Sequence, residues 1–280
     1  MKLLDRFNKY LHKQKNQTEY LESSPVLPNL LILGFPKCGT HALLHNLAHH
    51  PHIHTHPNEL SFFGNKNKSL EEYMALFQSD KKYNGEKTPY YVLRKDAMQQ
   101  ISELIPNAKL FICIRHPIQT VHSFYNFRIF EYKNGFPHGF NPEEYSFEDI
   151  VLDDLDAKQF NIYQCCYIDH IRKNVLRYFP IEQIYFVIQE RMMNFMTREM
   201  NKIYNHLNLP PYETNFEIKI KLHNDQFQYG SIDYSSPRYH RALEKLSALY
   251  KPYNKELFDF LGTDIVEWEF FDKMYNKLMQ

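Results

Sequence analysis

Residues 30–47 read Leu30-Leu-Ile-Leu-Gly-Phe-Pro-Lys-Cys-Gly-Thr-His-Ala-Leu-Leu-His-Asn-Leu47. The unbroken apolar run from Leu30 to Leu33 predicts a buried parallel strand, which Gly34 and Pro36 end. Apolar residues then return at helical spacing as far as Leu47. The stretch therefore predicts a strand, a tight loop and a helix. The first backbone N–H groups of such a helix are unpaired and can bind an anion such as a phosphate.

Lys37 adds a full positive charge inside this loop. Gly34 and Gly39 have the separation found in nucleoside-triphosphate loops, but Thr40-His41 stand where Lys-[Ser/Thr] should follow. A lysine before the second glycine distinguishes this loop from the usual nucleoside-triphosphate loop. Taken alone, the loop could also be a glycine turn that carries a solvated lysine.

The loop has a counterpart in a known family. Pro36-Lys-Cys-Gly-Thr-His41 resembles the Pro-Lys-x-Gly-Thr-Thr loop with which sulfotransferases hold the 5′-phosphosulfate of 3′-phosphoadenosine 5′-phosphosulfate (PAPS). The resemblance implies that the donor is bound by Pro36, Lys37, Cys38, Gly39, Thr40 and His41.

A second nucleotide element follows another buried, β-rich run at residues 109–114. Arg115-His-Pro resembles the Arg-[Asp/Asn]-Pro element of the family, and Ser123 lies the expected eight residues after the arginine. The resemblance implies that Arg115 and Ser123 hold the 3′-phosphate, for which a guanidinium offers forked donors. His116 departs from the pattern and could place another cation near a phosphate. A surface arginine after a core strand is the alternative.

The catalytic base is indicated by Asn58-Glu-Leu-Ser-Phe-Phe63. It resembles the Lys-Glu-x-x-Phe-Phe segment of glycan sulfotransferases, in which the glutamate is the proposed base, although Asn58 replaces the usual lysine. Leu60 and the two phenylalanines are expected to desolvate Glu59 partly and so raise its pKa. The alternative is a surface glutamate ahead of an aromatic core anchor.

A further lysine comes from Glu86-Lys-Thr-Pro89, which resembles the Glu-Lys-Thr-Pro-x-Tyr segment of heparan-sulfate sulfotransferases. We place Lys87 in the site, where it could donate to the sulfuryl group or to an acidic acceptor. Glu86 is placed outside the site, because burial with Lys87 would make it an ion-pair partner.

Histidines alternate in residues 49–57, and His52, His54 and His56 would share one face of a strand. Pro51 and Pro57 flank the run, and no acidic or cysteine ligand completes an obvious set. The resemblance requires no metal either. We therefore expect no metal site, and an effect of chelation would contradict this.

The composition of the chain limits the kinds of partner and the cellular location that can be expected. The chain has 280 residues, and its 33 basic residues balance 33 acidic ones, which gives no sign of a nucleic-acid or membrane-surface partner. Four cysteines without zinc or disulfide spacing favour a reducing compartment. No apolar leader and no span of roughly 20 apolar residues is found. These features predict a cytoplasmic protein without a transmembrane segment.

Further elements complete the predicted order. Strand 184–188 and helices at 69–78, 158–178, 190–207 and 237–250 are expected, and residues 213–234 are the least readable. The resemblance implies a three-layer, P-loop-like α/β fold with a central parallel sheet flanked by helices, with which the alternation of strands and helices agrees. We expect a polar lead-in at 1–27 and a single domain at 28–280, in which 131–157 form a loop at the acceptor site.

The reaction that the resemblance implies is transfer of the sulfuryl group from PAPS to a hydroxyl, or less favourably an amine, of a carbohydrate. Glu59 would take the acceptor proton, while Lys37 and Lys87 would act as catalytic cations at the site. Two alternatives stay open. One is a P-loop small-molecule kinase using Mg-ATP, and the other is a non-catalytic nucleotide- or glycan-binding relative.

Overall fold

The computed structural model describes residues 26–136 except 66 and 79, and residues 144–153, 162–212 and 235–278. Its strands are β1 (Leu30–Gly34), β2 (Ile53–Thr55), β3 (Tyr83–Lys87), β4 (Lys109–Ile114) and β5 (Ile184–Ile188). Its α-helices are α1 (Thr40–Leu47), α2 (Leu70–Met74), α3 (Lys95–Leu104), α4 (Pro117–Lys133), α5 (Phe147–Leu152), α6 (Tyr167–His170), α7 (Gln189–Asn194), α8 (Met196–His206), α9 (Pro237–Leu261) and α10 (Val266–Leu278).

The five strands form one parallel sheet in the order β2-β3-β1-β4-β5. The central strand β1 is buried along its whole length, which is why its sequence is an apolar run without alternation. Leu31 lies beside Glu86 of β3 and Leu110 of β4. The parallel sheet and its flanking helices confirm the predicted fold class.

Helix ends follow local signals in the sequence. Ser69 caps α2 by accepting a hydrogen bond from Glu72 N, and Ser236 caps α9 by accepting from Arg238 N and Tyr239 N. Helix α9 runs through to Leu261, and so continues past the end predicted at Tyr250.

Two predicted helices are broken. Residues 162–178 contain a 3₁₀ turn (Tyr163–Cys165), then α6 and a π-helical turn (Ile171–Val175), so a single helix over 158–178 is wrong within the described residues. The helix predicted over 190–207 is divided at Phe195, whose extended φ of −141° separates α7 from α8. Helical periodicity persists across both breaks, which is why sequence alone missed them.

The chain divides into two compact units. The first unit is the described part of Met1–Phe35, Gly39–Ile114 and Ile171–Glu217, and the second is the described part of Pro36–Cys38, Arg115–His170 and Ile218–Gln280. The first unit contains the whole sheet. The second contains α4, α5, α6, α9 and α10, with a core that includes the fully buried side chains of Trp268, Tyr239 and Tyr250.

Several predicted features fall outside the described residues. They are most of the lead-in at 1–27, residues 137–143 and 154–157 of the expected acceptor loop, and the segment 213–234. The single domain at 28–280 stays a prediction.

Candidate active site

The two units divide the predicted site residues between them. The first unit contains Gly39, Thr40, His41, Glu59 and Lys87. The second unit contains Pro36, Lys37, Cys38, Arg115 and Ser123.

The turn after β1 depends on Gly34, which has φ +136°. A Cβ on this residue would lie 2.6 Å from the carbonyl oxygen of Cys113, so only glycine fits beside β4. Helix α1 then begins with Gly39 as its N-cap, and a glycine has no side chain to bond the first N–H groups. The start of α1 thus has the backbone arrangement that binds anions in other proteins.

The first unit brings Glu59 and Lys87 together. Lys87 ends β3, and its Nζ donates to Glu59 Oε1 at 2.6 Å. The lysine side chain is 8% exposed and the glutamate side chain 41% exposed, so a nearly buried cation holds a carboxylate at the surface. Glu59, the predicted base, and Lys87, a predicted catalytic cation, therefore form an ion pair with each other.

The surroundings of Glu59 differ from the prediction. Phe62 and Phe63 are buried in the aromatic core of the first unit, where the Phe62 ring stacks on Tyr73 with centroids 4.0 Å apart. Glu59 itself lies outside that core. The expected desolvation by Leu60 and the phenylalanines is not found, because these rings turn inward while the carboxylate remains exposed and paired.

His41 lies in the first turn of α1 and interacts electrostatically with both Lys87 and Glu59. Burial lowers its pKa, the positive charges of Lys87 and His45 lower it further, and the negative charge of Glu59 opposes them. The imidazole is therefore neutral at pH 7. A neutral His41 can donate or accept a hydrogen bond beside the Glu59–Lys87 pair.

Glu86 is the residue that sequence reasoning missed. It is fully buried, and its carboxylate accepts hydrogen bonds from the hydroxyls of Tyr73, Thr88 and Tyr91 instead of pairing with Lys87. The signal was present in β3, since successive strand residues face opposite sides and Glu86 cannot share the surroundings of Lys87.

In the second unit, Arg115 contacts the backbone of Lys37. Its Nη1 donates to the carbonyl oxygen of Lys37 and its Nη2 to Gln119 Oε1, each at 3.4 Å. Lys37 has φ +69°, and its Nζ lies 4.3 Å from the centroid of the Phe127 ring. The cation–π contact and the guanidinium thus orient this part of the loop.

Cys38 is buried and structural. Its Sγ lies 3.7 Å from Thr120 Oγ1 and 3.6 Å from the hydroxyl of Tyr167, which in turn donates to the carbonyl oxygen of Arg115 at 2.8 Å. The thiol side chain therefore faces the core, and only the backbone of Cys38 is suited to a ligand.

Two further predicted residues lie on or next to α4. Ser123 is half-buried, two turns into the helix. His116 is buried, its Nε2 lies 3.3 Å from Asp272 Oδ1, and its ring packs edge-on against Trp268. His116 therefore packs in the core of the second unit, and its place beside a phosphate stays a prediction.

Two histidines of the run 49–57 hydrogen-bond backbone carbonyl groups. His54 Nε2 donates to the carbonyl oxygen of Leu76 at 3.1 Å, and His50 Nε2 donates to that of Pro210 at 3.2 Å. Among the residues that the structure describes, no cluster of three or more His, Cys, Asp or Glu side chains could hold a metal ion.

Comparison with known proteins gives one family and one fold. The family model described as "Sulfotransferase domain" matches residues 27–229. Mouse heparan sulfate glucosamine 3-O-sulfotransferase 5 is 28% identical over 225 residues, which are 77% of this chain and 63% of the relative. The bifunctional heparan sulfate N-deacetylase/N-sulfotransferase 1 of Caenorhabditis briggsae is 28% identical over 215 residues, 70% of this chain and 24% of the relative. The chain thus spans less than two thirds of either protein.

Solved structures support the fold. The sulfotransferase from Alicyclobacillus acidocaldarius superposes with a TM-score of 0.67 at 18% identity, and covers 87% of this chain and 99% of its own. The mouse sulfotransferase SULT7A1, solved in complex with PAP, gives a TM-score of 0.50 at 14% identity, over 79% and 84% of the two chains.

The prediction of a cytoplasmic location is wrong. The curated relatives are heparan sulfate sulfotransferases, which are enzymes of the Golgi lumen. The prediction rested on cysteine spacing and on the hydropathy of the chain. Hydropathy can indicate a membrane anchor, but it does not indicate the compartment in which a protein works. Within the described residues, no helix combines the length and the apolar character needed to cross a bilayer.

Proposed function

Because this chain belongs to the sulfotransferase domain family, we propose that it transfers the sulfuryl group of PAPS to a hydroxyl of a carbohydrate. The observation that carries the proposal is the 2.6 Å ion pair of Lys87 and Glu59 in a chain of this family. A glycan acceptor is supported by relatives whose names specify heparan sulfate glucosamine.

In the proposed reaction, Glu59 accepts the proton of the acceptor hydroxyl while the oxygen attacks the sulfur in line. The bond between sulfur and the 5′-phosphate oxygen breaks, and 3′-phosphoadenosine 5′-phosphate (PAP) leaves with the bonding electrons. Lys87 holds the Glu59 carboxylate in place and brings a positive charge to the transferring group.

The donor is held by the groups at the start of α1 and by Arg115. Lys37 and the N–H groups of residues 38–41 offset the charge that grows on the leaving 5′-phosphate. Arg115 and Ser123 bind the 3′-phosphate and fix the position of the nucleotide. Pro36 shapes the loop. The scheme requires no metal ion, since these cations and backbone dipoles supply the positive charge.

The kinase alternative is not favoured by the family match or by the position of Lys37 before the second glycine. A non-catalytic relative would keep the fold but would not transfer the sulfuryl group. The experiments below distinguish this alternative from the proposed enzyme.

The donor is tested by calorimetric titration with PAP, with ATP and Mg²⁺ as the comparison. We expect PAP to bind without metal, and Arg115→Ala to weaken binding about 10- to 100-fold, since hydrogen bonds to charged groups contribute about 1.5–3 kcal/mol. Arg241→Ala, an exposed arginine on α9, is the control and should bind as the wild type does. Preference for Mg-ATP, or no binding of PAP, would contradict the proposal.

The acceptor is tested with isotope-labelled PAPS and two forms of one heparan chain, either N-acetylated or with free amines. Label on both forms indicates a hydroxyl acceptor, whereas label on the free-amine form alone indicates N-sulfation. Binding of PAP without transfer to either form, or to a panel of other glycans, would indicate the non-catalytic relative.

A further inference from the structure

Glu86 is a carboxylate in the interior of the first unit. Its side chain is 0% exposed, and three hydroxyls donate to it: Tyr73 at 2.5 Å, Thr88 Oγ1 at 3.1 Å and Tyr91 at 3.3 Å. An ionised carboxylate only accepts, so all three hydroxyl protons must point toward Glu86.

Two of these hydroxyls then receive backbone N–H groups. The oxygen of Tyr91 accepts from Phe62 N at 2.6 Å and from Phe63 N at 3.2 Å, and Thr88 Oγ1 accepts from Ser61 N at 3.1 Å. Because their protons are turned toward Glu86, the hydroxyl oxygens have their lone pairs available for the backbone. The carboxylate therefore sets the direction of every hydrogen bond in this network.

The backbone held in this way is the one that carries Glu59. Ser61, two residues after the proposed base, has φ +45°, a left-handed conformation that a serine rarely adopts. Its N–H bond to Thr88 compensates for that strain. Lys87 follows Glu86 in β3 and faces the opposite way, so the strand holds the Glu59 segment from both ends: through Lys87 at the carboxylate and through Glu86 at residues 61–63.

We infer that Glu86 is a positioning residue for sulfuryl transfer: through Thr88 and Tyr91 it fixes the backbone of residues 61–63 and so aims Glu59. The inference rests on the proposed function. It adds a residue that does not touch donor or acceptor and acts through the geometry of the base.

Ionisation of Glu86 decides whether the network is complete. Burial raises its pKa to about 7, against the lowering effect of hydrogen bonds from Tyr73, Thr88 and Tyr91 and of the charge of Lys68. A protonated Glu86 must donate to one of the surrounding oxygens and displaces a hydrogen bond there. Turnover should therefore rise with pH as Glu86 ionises near neutrality.

The test compares Glu86→Gln with Tyr91→Phe, Tyr73→Phe and the control Glu72→Gln, an exposed carboxylate on α2. Glutamine keeps the size of Glu86 but must donate to one oxygen of the network. Tyr91→Phe removes the acceptor of Phe62 N and Phe63 N, whereas Tyr73→Phe removes a hydroxyl that bonds Glu86 alone. Each variant is measured for kcat against pH, KM for the acceptor, calorimetric affinity for PAP and amide exchange at residues 61–63.

We expect kcat to fall about 10- to 100-fold in Glu86→Gln and Tyr91→Phe, as for a misplaced catalytic group, with KM and PAP affinity within about twofold of wild type. The pH rise near 7 should vanish in Glu86→Gln and move to higher pH in Tyr73→Phe. Glu72→Gln should behave as the wild type does.

Wild-type turnover and pH profile in Glu86→Gln would overturn the inference, as would unchanged amide exchange at residues 61–63. An inactive wild type would contradict the proposed function instead. In that case faster exchange at residues 61–63 in Glu86→Gln would still establish the network, and unchanged exchange would remove it.

Discussion

Glu86 and Lys87 are neighbours in the chain with opposite surroundings. Alternation along β3 sends the Glu86 carboxylate into a group of hydroxyls and the Lys87 ammonium to the surface carboxylate of Glu59. The Lys87–Glu59 pair is formed by residues 28 positions apart, and this ion pair fixes the orientation of both side chains. At the scale of single residues, function depends on which side of the strand a side chain faces.

Removing the charge of Glu59 tests its role directly. Glu59→Gln keeps the size of the side chain but cannot accept the acceptor proton, so we expect kcat to fall by about 10²- to 10⁴-fold, the usual contribution of a general base. Calorimetric affinity for PAP should stay near the wild-type value. Glu72→Gln is the matched control. Full turnover in Glu59→Gln would remove this residue from the role of base.

At the scale of elements, the exit of the chain from β1 toward α1 is set by how closely β1 approaches β4. The chain must leave the sheet at Gly34 against the backbone of Cys113, and it starts α1 six residues later. This tight exit places a helix N-terminus at the carboxyl edge of a parallel sheet, where ligands bind in open α/β folds. The short elements α6 and α7 show the limit of periodicity, since both lie in stretches expected to be longer helices.

A methyl group at Gly34 should disrupt this exit. Gly34→Ala places Cβ 2.6 Å from the carbonyl oxygen of Cys113, and we expect it to lower the free energy of unfolding by more than about 3 kcal/mol, above the usual range for strain at one residue. Gly262→Ala, at the end of α9, also has a positive φ but meets nothing within 4 Å, so about 1 kcal/mol is expected. Urea unfolding measures both, and equal losses would contradict the steric argument.

At the scale of the whole molecule, each unit buries titratable groups. The first has Glu86, and the second has His122, which packs on Phe147 of α5 and hydrogen-bonds the hydroxyl of Tyr239 of α9 at 3.2 Å. Burial, together with the nearby Arg115 and His116, lowers the pKa of His122 to about 3. Neutral His122 thus joins three helices of the second unit.

The depressed pKa gives His122 a defined effect on stability. Its contribution is complete above pH 6.5 and is lost as pH falls from 6.5 toward 3, because the unfolded chain binds the proton first. At pH 5 the loss is about 2 kcal/mol. We expect His122→Phe to remove this part of the pH dependence in urea unfolding. Tyr239→Phe, which keeps the histidine, should retain it, and identical pH slopes in wild type and His122→Phe would refute the assignment.

The sequence by itself determined the strands β1, β4 and β5 and the tight turn after β1. The apolar runs at β1, β4 and β5, the glycines around Lys37 and the serine caps are local signals, because periodicity, φ preference and capping act within a few residues. Glu59, Lys87 and Arg115 could be proposed as site residues because each stands inside a short pattern.

Only the tertiary structure decided which of these side chains meet. The strand order β2-β3-β1-β4-β5, the Glu59–Lys87 pair and the packing of His116 against Trp268 join residues far apart in sequence. The hydroxyls around Glu86 come from nearer residues, but they are brought together by the turn after β3 and by the packing of α2. Such contacts depend on how the faces of packed elements fit together, which no local pattern records. The buried carboxylate beside the proposed base is visible only once that packing is known.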